Sequence, residues 1–339
     1  MKETSIRSTV YAMMVAIVTL SSCAGEESEI QQSPPVPITV TVNNSNSPQT
    51  RDDEKTPYNT IADLQTTGFG LYCQPGTLDP LMSNQKFTYS TVNGWTYSPI
   101  KYWPSGTDTK LNFIAYAPYT TTTDKVSYTS ATSEFTYQYT VNTESPFDNI
   151  DLCTAKALDK TSSDGEVDLS FQHQTGRLDV QVKVDGENTN YDANAKYFIK
   201  SVTINTNSLS PATLHVNRSQ TTWIPITGAS PITYNLNSLS HFKEGIFDPE
   251  FTTVEQFNPS TIPGLTTSLQ GIFPESKILI VLPTFNENAF TITVNYVKYS
   301  VTGGEPSVLT KTEASQEFTP VILGISSGKL HTLNITLNP

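Results

Sequence analysis

Hydrophobic and polar residues alternate with a period of two along much of this chain, which is the pattern of β-strands with one buried face. Residues 36–42 show it most clearly, because Val36, Ile38, Val40 and Val42 are separated by Pro37, Thr39 and Thr41. The same reasoning predicts further strands at residues 69–73, 95–97, 111–117, 135–141, 167–171, 178–184, 197–205, 214–217, 221–226, 277–282, 290–301 and 330–337.

Helical signals are weak by comparison. No stretch of ten or more residues has a convincing 3.6-residue period, although residues 58–64 are compatible with a short helix. Asp164-Gly165 and Gly176 mark turns between strands. Many short strands separated by turn residues predict an all-β fold built from antiparallel β-sandwiches.

The length of 339 residues suggests two domains of ordinary size. Asn, Asp and Gly residues cluster at 186–196, where few hydrophobic residues interrupt them. We therefore expect an N-terminal β-sandwich at 36–190 and a C-terminal β-sandwich at 191–339.

The first 35 residues have the organisation of a lipoprotein leader and tether. Lys2 and Arg7 precede an apolar run at 10–20, which is too short to span a bilayer, and Leu20-Ser21-Ser22-Cys23 is typical of a lipobox. This pattern predicts a signal peptide at 1–22 and lipid attachment at Cys23. The outer membrane lipid is then a partner through Cys23, and the acidic, Pro-rich residues 23–35 are a spacer. An ordinary secretory signal with a chance cysteine is the alternative.

Charge and motif content argue against several functions. The formal net charge of −12 disfavours binding to nucleic acid. The four histidines, His173, His215, His241 and His331, have no cysteine or paired carboxylate at metal-ligand spacing, and no catalytic motif is present. We therefore predict no enzyme, no cofactor, no metal and no catalytic residue.

The remaining thiols and the aromatic residues each leave two interpretations. Cys73 and Cys153 could form one disulfide, but their spacing does not demand it, and burial of each within a strand is favoured. An aromatic group could stack on sugar rings or could fill the core of a sandwich, and the core is favoured. Its members are Tyr97, Tyr102, Trp103, Tyr116 and Tyr119.

Several motifs in order resemble the fimbrillin-like family of the Bacteroidetes. Tyr102-Trp103-Pro104 precedes Leu-Asn-Phe-Ile-Ala-Tyr-Ala-Pro-Tyr at 111–119, and Asp151-Leu152 precedes a strand that ends in Phe171-x-His173. Residues 278–283, 290–296 and 328–337 are similar to the closing strands of that family. The resemblance covers nearly the whole chain after the leader.

The resemblance implies two tandem transthyretin-like, immunoglobulin-like sandwiches and a subunit of a cell-surface pilus, or fimbrium. In that family a protease removes the first strand, and a segment of another pilus subunit fills the groove by donor-strand exchange. Here the removable strand would be 36–42, with Val36, Ile38, Val40 and Val42 pointing inward. Arg51, in an acidic and polar stretch, would be the cleavage site.

The position in the pilus is a further expectation. Stalk subunits of the family continue past the closing strand into a donor segment, whereas here residues 330–337 form the last predicted strand before Pro339. This favours a tip or accessory subunit that adheres to a host or bacterial surface ligand. The alternative function is a surface glycan-binding lipoprotein of a nutrient-uptake system, which would keep its lipid at Cys23.

Overall fold

The computed structural model describes residues 34–43, 61–76, 78–105, 108–275, 277–283, 290–303, 307–320 and 324–339, and strands dominate them. The strands of the first half are β1 (Val40–Val42), β2 (Phe69–Pro75), β3 (Met82–Ser90), β4 (Gly94–Thr96), β5 (Leu111–Ala117), β6 (Val126–Thr129), β7 (Glu134–Tyr139), β8 (Cys153–Lys160) and β9 (Val167–Leu169). Those that follow are β10 (Gln172–His173), β11 (Gly176–Val184), β12 (Lys196–Val216), β13 (Thr221–Leu236), β14 (Gln270–Gly271), β15 (Leu279–Val281), β16 (Phe290–Thr302), β17 (Val308–Phe318) and β18 (Leu330–Leu337). The predicted all-β class is confirmed.

Helical structure is limited in the described part of the chain. It consists of one α-helix, α1 (Ile61–Thr67), and three single-turn 3-10 helices at Pro146–Asp148, Ser162–Asp164 and Leu239–His241. None of these helices is long and apolar enough to cross a membrane.

The first half of the chain builds a six-stranded antiparallel sheet in the order β10-β8-β5-β2-β3-β4. A separate pair, β1 and β9, runs parallel, with Val40 opposite Val167 and Val42 opposite Leu169. Because the pair is parallel, residues 40–42 and residues 167–169 run in the same direction.

The other sheets mix strands from both halves. In one of them β11 lies between β14 and β15 on one side and β18 on the other, and β18 runs parallel to it. In the other, the order is β17-β16-β12-β7-β6, and β13 also pairs with β12. The long strand β12 therefore pairs with β16 along its first part and with β7 along its last part.

Two main hydrophobic cores lie on opposite faces of the six-stranded sheet. Phe113 and Ala115 of β5 pack into the first core, whereas Ile114 and Tyr116 of the same strand pack into the second. All seven residues of β5 are buried, which explains why its sequence is almost continuously hydrophobic and does not alternate. The first core holds β1 and β9, and the second holds β11, β12, β16 and β18.

The predicted strands agree with the structure to different extents. Residues 111–117 and 330–337 are strands with the predicted bounds. The strands predicted at 197–205 and 214–217 instead belong to one strand, β12, which ends at Val216 and pairs irregularly around 205–212. The predicted division into 36–190 and 191–339 stays a prediction. The second core draws on residues before 190, since Tyr72 and the side chains of β11 pack into it.

Candidate functional site

The N-terminal segment, residues 36–43, changes pairing partner along its length. At its start it runs antiparallel to residues 101–103, where the Ile38 amide donates to the Lys101 carbonyl at 2.9 Å and the Trp103 amide donates to the Val36 carbonyl at 2.9 Å. Burial raises the pKa of Tyr97, so its hydroxyl keeps its proton and donates to the Ile38 carbonyl at 2.9 Å. Three hydrogen bonds therefore hold the first half of the N-terminal segment.

The second half of the N-terminal segment pairs with β9. The Val167 amide donates to the Thr39 carbonyl at 2.9 Å, and the Asn43 amide donates to the Leu169 carbonyl at 3.2 Å. The side chain of Asn43 also donates to Asp168 at 2.7 Å. The segment is thus anchored at both ends and along one edge.

Burial along the N-terminal segment alternates. Ile38, Val40 and Val42 are 1%, 6% and 7% exposed and belong to the first core. Val36, which we also predicted to point inward, is 49% exposed, and that prediction is wrong. Val36 lies beside Trp103 at the rim, before the chain reaches the core, so three hydrophobic side chains and not four fill the groove.

An open cavity of about 380 Å³ lies along the other edge of β1. Its lining includes Val40 and Val42 of β1 and Tyr89 and Trp95 from the β3–β4 hairpin. In a parallel pair, alternate residues direct their backbone groups to the neighbour. Because Thr39 and Asn43 bond to β9, the backbone groups of Val40 and Val42 face the cavity. β1 is therefore an edge with room beside it.

The other predicted site residues fall into two groups. Cys23 and Arg51 lie outside the described residues. In the aromatic group, Tyr97, Trp103 and Tyr116 are buried, and only Tyr102 and Tyr119 retain substantial exposure. Three of the five members thus lie in the cores, as favoured from the sequence.

The two arginines that follow Arg51 in the sequence differ in exposure. Arg177 is 2% exposed. Arg218 donates to Asp159 and to Asn112, each at 2.6 Å, and this contact lowers the pKa of the Asp159 carboxyl. Arg177 is therefore inaccessible to a protease in the native fold, whereas Arg218 lies in the exposed turn between β12 and β13 and is restrained there by its contacts with Asp159 and Asn112.

The last strand, β18, is integrated into the second core. It pairs with β11 along its whole length, from Leu330 opposite Arg177 to Leu337 opposite Val184. Its side chains Leu333, Ile335 and Leu337 are at most 2% exposed. Beyond it, the Tyr296 hydroxyl donates to the Asn338 carbonyl at 3.1 Å. Like β1, β18 is a parallel edge strand with three inward side chains at alternate positions.

The fold also assembles a polar cluster that the sequence did not predict. Asp151, Cys153 and His173 place their ligand atoms within 4.8 Å of one another. The sequence does not reveal this cluster, because 20 residues separate Cys153 from His173. Only the pairing of β8 with β10 places the two residues opposite each other. Cys73 and Cys153 are both buried free thiols, as favoured from the sequence.

A comparison with protein families finds one match. The sequence profile of the fimbrillin-like family matches residues 59–339. Among curated proteins, none matches the chain.

A comparison with solved structures bears on the fold alone. A crystal structure of a fimbrial protein from Bacteroides vulgatus has a TM-score of 0.61 and 21% sequence identity to this chain, and the match covers 89% of this chain and 96% of that one. A proposed cell adhesion protein from Bacteroides uniformis matches at 16% identity with a TM-score of 0.37, over 74% of this chain and 91% of that one. The first of these likenesses shows a shared fold.

Proposed function

Because the chain belongs to the fimbrillin-like family, we propose that it is an adhesive subunit of a cell-surface fimbria that assembles by exchange of its N-terminal segment for a strand of a neighbouring subunit. The observation that carries the proposal is the way residues 36–43 fill a groove of the first core. They do so with Ile38, Val40 and Val42 while one edge of β1 remains open.

Proteolysis at Arg51 would make the N-terminal segment replaceable. Arg51 lies in sequence between Asn43 and α1, so cutting there breaks the covalent link between the segment and the rest of the first core. After residue 51 the sequence has two further arginines: Arg177, which is buried, and Arg218, which lies in an exposed turn and donates to Asp159. We expect an arginine-specific protease to act at Arg51, and the variant Arg218→Lys separates that cut from any cut in the turn between β12 and β13.

The vacated groove would bind a matching strand strongly. Burying one aliphatic side chain contributes roughly 1.5–3 kcal/mol, so the positions of Ile38, Val40 and Val42 together contribute about 5–9 kcal/mol. The groove would also present unpaired backbone groups at Lys101, Trp103, Val167 and Leu169. A strand with hydrophobic residues at alternate positions satisfies both demands by β-augmentation.

The route to the surface follows from the leader. We propose that the precursor is lipid-anchored in the outer membrane through Cys23 and exposed at the cell surface, and that cleavage at Arg51 releases the subunit from its lipid into the fimbrium. The partners are then other pilus subunits and, for adhesion, a ligand on a host or bacterial surface.

We place the subunit at the tip or in an accessory position. A donor strand must leave its own subunit to fill the groove of another. β18 instead pairs with β11 over its whole length and buries Leu333, Ile335 and Leu337 in the second core. A subunit that accepts a strand and keeps its own last strand ends the polymer. Self-polymerisation of the purified, trimmed chain would contradict this placement.

The test is strand replacement after trimming. Residues 24–339 are treated with an arginine-specific protease, and a fluorescent peptide of residues 34–43 is added. We expect a new N-terminus at Asp52 and stoichiometric peptide uptake, with no uptake by the uncut chain. Arg51→Lys should block both cleavage and uptake, whereas the matched variant Arg218→Lys should behave as the parent. A trimmed, folded protein that retains residues 24–51 in the presence of excess peptide would refute strand exchange.

A further inference from the structure

The cluster of Asp151, Cys153 and His173 lies at the β10–β8 edge of the six-stranded sheet, between the first core and the second. Cys153 and His173 are cross-strand partners on β8 and β10, and Asp151 precedes β8 by two residues. The Sγ atom of Cys153 lies 3.3 Å from Nδ1 of His173, and an Asp151 oxygen lies 3.0 Å from the same nitrogen. All three residues are at least nine-tenths buried.

This geometry differs from that of a nucleophile–histidine–acid relay. In such a relay the nucleophile and the acid bind opposite nitrogens of the imidazole, which passes a proton between them. Here the thiol and the carboxylate both face Nδ1 of His173. One nitrogen cannot relay a proton between two partners on its own side, so the cluster is not built for nucleophilic catalysis.

A second observation concerns the carboxylate. Asp151 is fully buried, and its Oδ1 accepts a hydrogen bond of 2.7 Å from the Thr175 hydroxyl. Its Oδ2 has no hydrogen-bond partner among the described residues. A buried carboxylate oxygen without a partner is costly, so it points to a cationic group that would complete the cluster.

We propose that Asp151, Cys153 and His173 bind a borderline-soft divalent metal ion of the Zn²⁺ class. Tetrahedral Zn²⁺, with bonds of about 2.0 Å to nitrogen and about 2.3 Å to sulfur, holds these two ligand atoms about 3.5 Å apart. The observed 3.3 Å between Cys153 and His173 is close to that separation. An oxygen, nitrogen and sulfur donor set is one that Zn²⁺ accepts.

Groups around the cluster shift the pKa of the Cys153 thiol in both directions. Burial and the Asp151 carboxylate raise the pKa of the Cys153 thiol, and the buried Arg177 lowers it. The Thr175 hydroxyl fixes the orientation of Asp151, as outer-shell groups do around protein metal sites. On binding, the ion would displace the Cys153 thiol proton to solvent and would be coordinated by the unpartnered oxygen of Asp151.

The bound ion would join β8 to β10 just before the chain turns into β11. This is the passage from the first core to the second, because Cys153 packs in the first and Leu178 of β11 packs in the second. A metal there would stabilise the junction without touching the N-terminal segment. The metal site can therefore be tested independently of strand exchange.

Cobalt substitution provides a direct test. Residues 24–339 contain only two thiols, so in Cys73→Ala the single thiol is Cys153. We expect metal-free Cys73→Ala to bind one Co²⁺ per chain with a thiolate-to-cobalt charge-transfer band, and Zn²⁺ to displace it and raise Tm. Binding of Co²⁺ without that band, or no binding by the folded protein, would overturn the proposal.

Ligand variants sharpen the assignment. In the Cys73→Ala background, His173→Gln and Asp151→Asn should each lose the stoichiometric Co²⁺ band, and Thr175→Val should weaken binding about 10–100-fold. His215→Gln, which removes a histidine that faces Glu134 away from the cluster, should bind Co²⁺ as the parent does. Equal binding by folded Asp151→Asn, His173→Gln and His215→Gln would also refute the site.

Discussion

The hydroxyl of Tyr97 donates a hydrogen bond of 2.9 Å to the carbonyl of Ile38, which joins the N-terminal segment to the body of the first core. The same hydroxyl accepts from the Lys101 amide at 3.2 Å, and Lys101 in turn accepts from the Ile38 amide. Tyr97 therefore completes a closed set of contacts around the backbone of Ile38, at the point where the segment first enters the core.

We predict that Tyr97→Phe weakens the hold on the N-terminal segment. The ring stays in the core, but the buried Ile38 carbonyl loses its phenol donor, which costs about 1–3 kcal/mol. Denaturant unfolding measures the loss, and peptide exchange after trimming at Arg51 should become faster. Tyr102→Phe, on a side chain that is 46% exposed, serves as the control and should change neither quantity.

A second prediction compares two positions of the N-terminal segment that are two residues apart. Ile38→Ala should lower the free energy of unfolding by about 2–5 kcal/mol, because Ile38 is 1% exposed in the first core. Val36→Ala should change it by less than about 0.5 kcal/mol, because Val36 is 49% exposed at the rim. Equal effects in urea unfolding would mean that the segment does not enter the core as described.

The contrast between Val36 and Ile38 shows what the sequence could predict. Alternation correctly indicated that Ile38, Val40 and Val42 face inward, since a strand directs alternate side chains to one face. It could not show where the core begins. Val36 fits the pattern, yet it pairs with Trp103 at the rim, and only the tertiary position of residues 101–103 determines that.

Two of the strands that were missed, β3 and β17, lack a continuous hydrophobic face. In β17, Val308–Phe318, no residue is buried, and the strand forms because it pairs with β16 along its whole length. In β3, only Met82 and Phe87 are buried. Backbone pairing, which leaves no trace in hydrophobicity, determines such strands, and the same kind of pairing brings Cys153 opposite His173.

A third prediction concerns a close approach between β2 and β5. Gly70 lies opposite Tyr116, and a Cβ at Gly70 would lie 2.6 Å from Cζ of that ring. The ring cannot move aside easily, because the Tyr116 hydroxyl donates to Asn84 at 2.7 Å. Gly70→Ala should therefore destabilise the protein by about 1–3 kcal/mol.

Gly271 offers the matched control for that variant. A Cβ at Gly271 would meet no described atom within 4 Å. Thermal or denaturant unfolding of Gly271→Ala should resemble the parent, within about 0.5 kcal/mol. If Gly70→Ala is equally harmless, Tyr116 does not cover Gly70 in the way the structure describes.

The fourth prediction is a loss of stability at high pH that depends on Tyr72. Its ring stacks on that of Tyr128 at a centroid distance of 4.9 Å, and burial raises the pKa of each to about 12. In the unfolded chain a tyrosine has a pKa of about 10. The folded state therefore keeps protons that the unfolded state releases, so this stability is complete below about pH 10 and is lost between about pH 10 and 12.

Tyr72→Phe removes one of these titrating groups and keeps the ring in the second core. Its free energy of unfolding should fall less steeply than that of the parent between about pH 10 and 12. Lysines titrate over the same range in both proteins, so the difference between the two curves isolates Tyr72. Tyr102→Phe, at an exposed position, should follow the parent curve. Parallel curves for Tyr72→Phe and the parent would show that ionisation of the buried Tyr72 phenol does not contribute to alkaline unfolding.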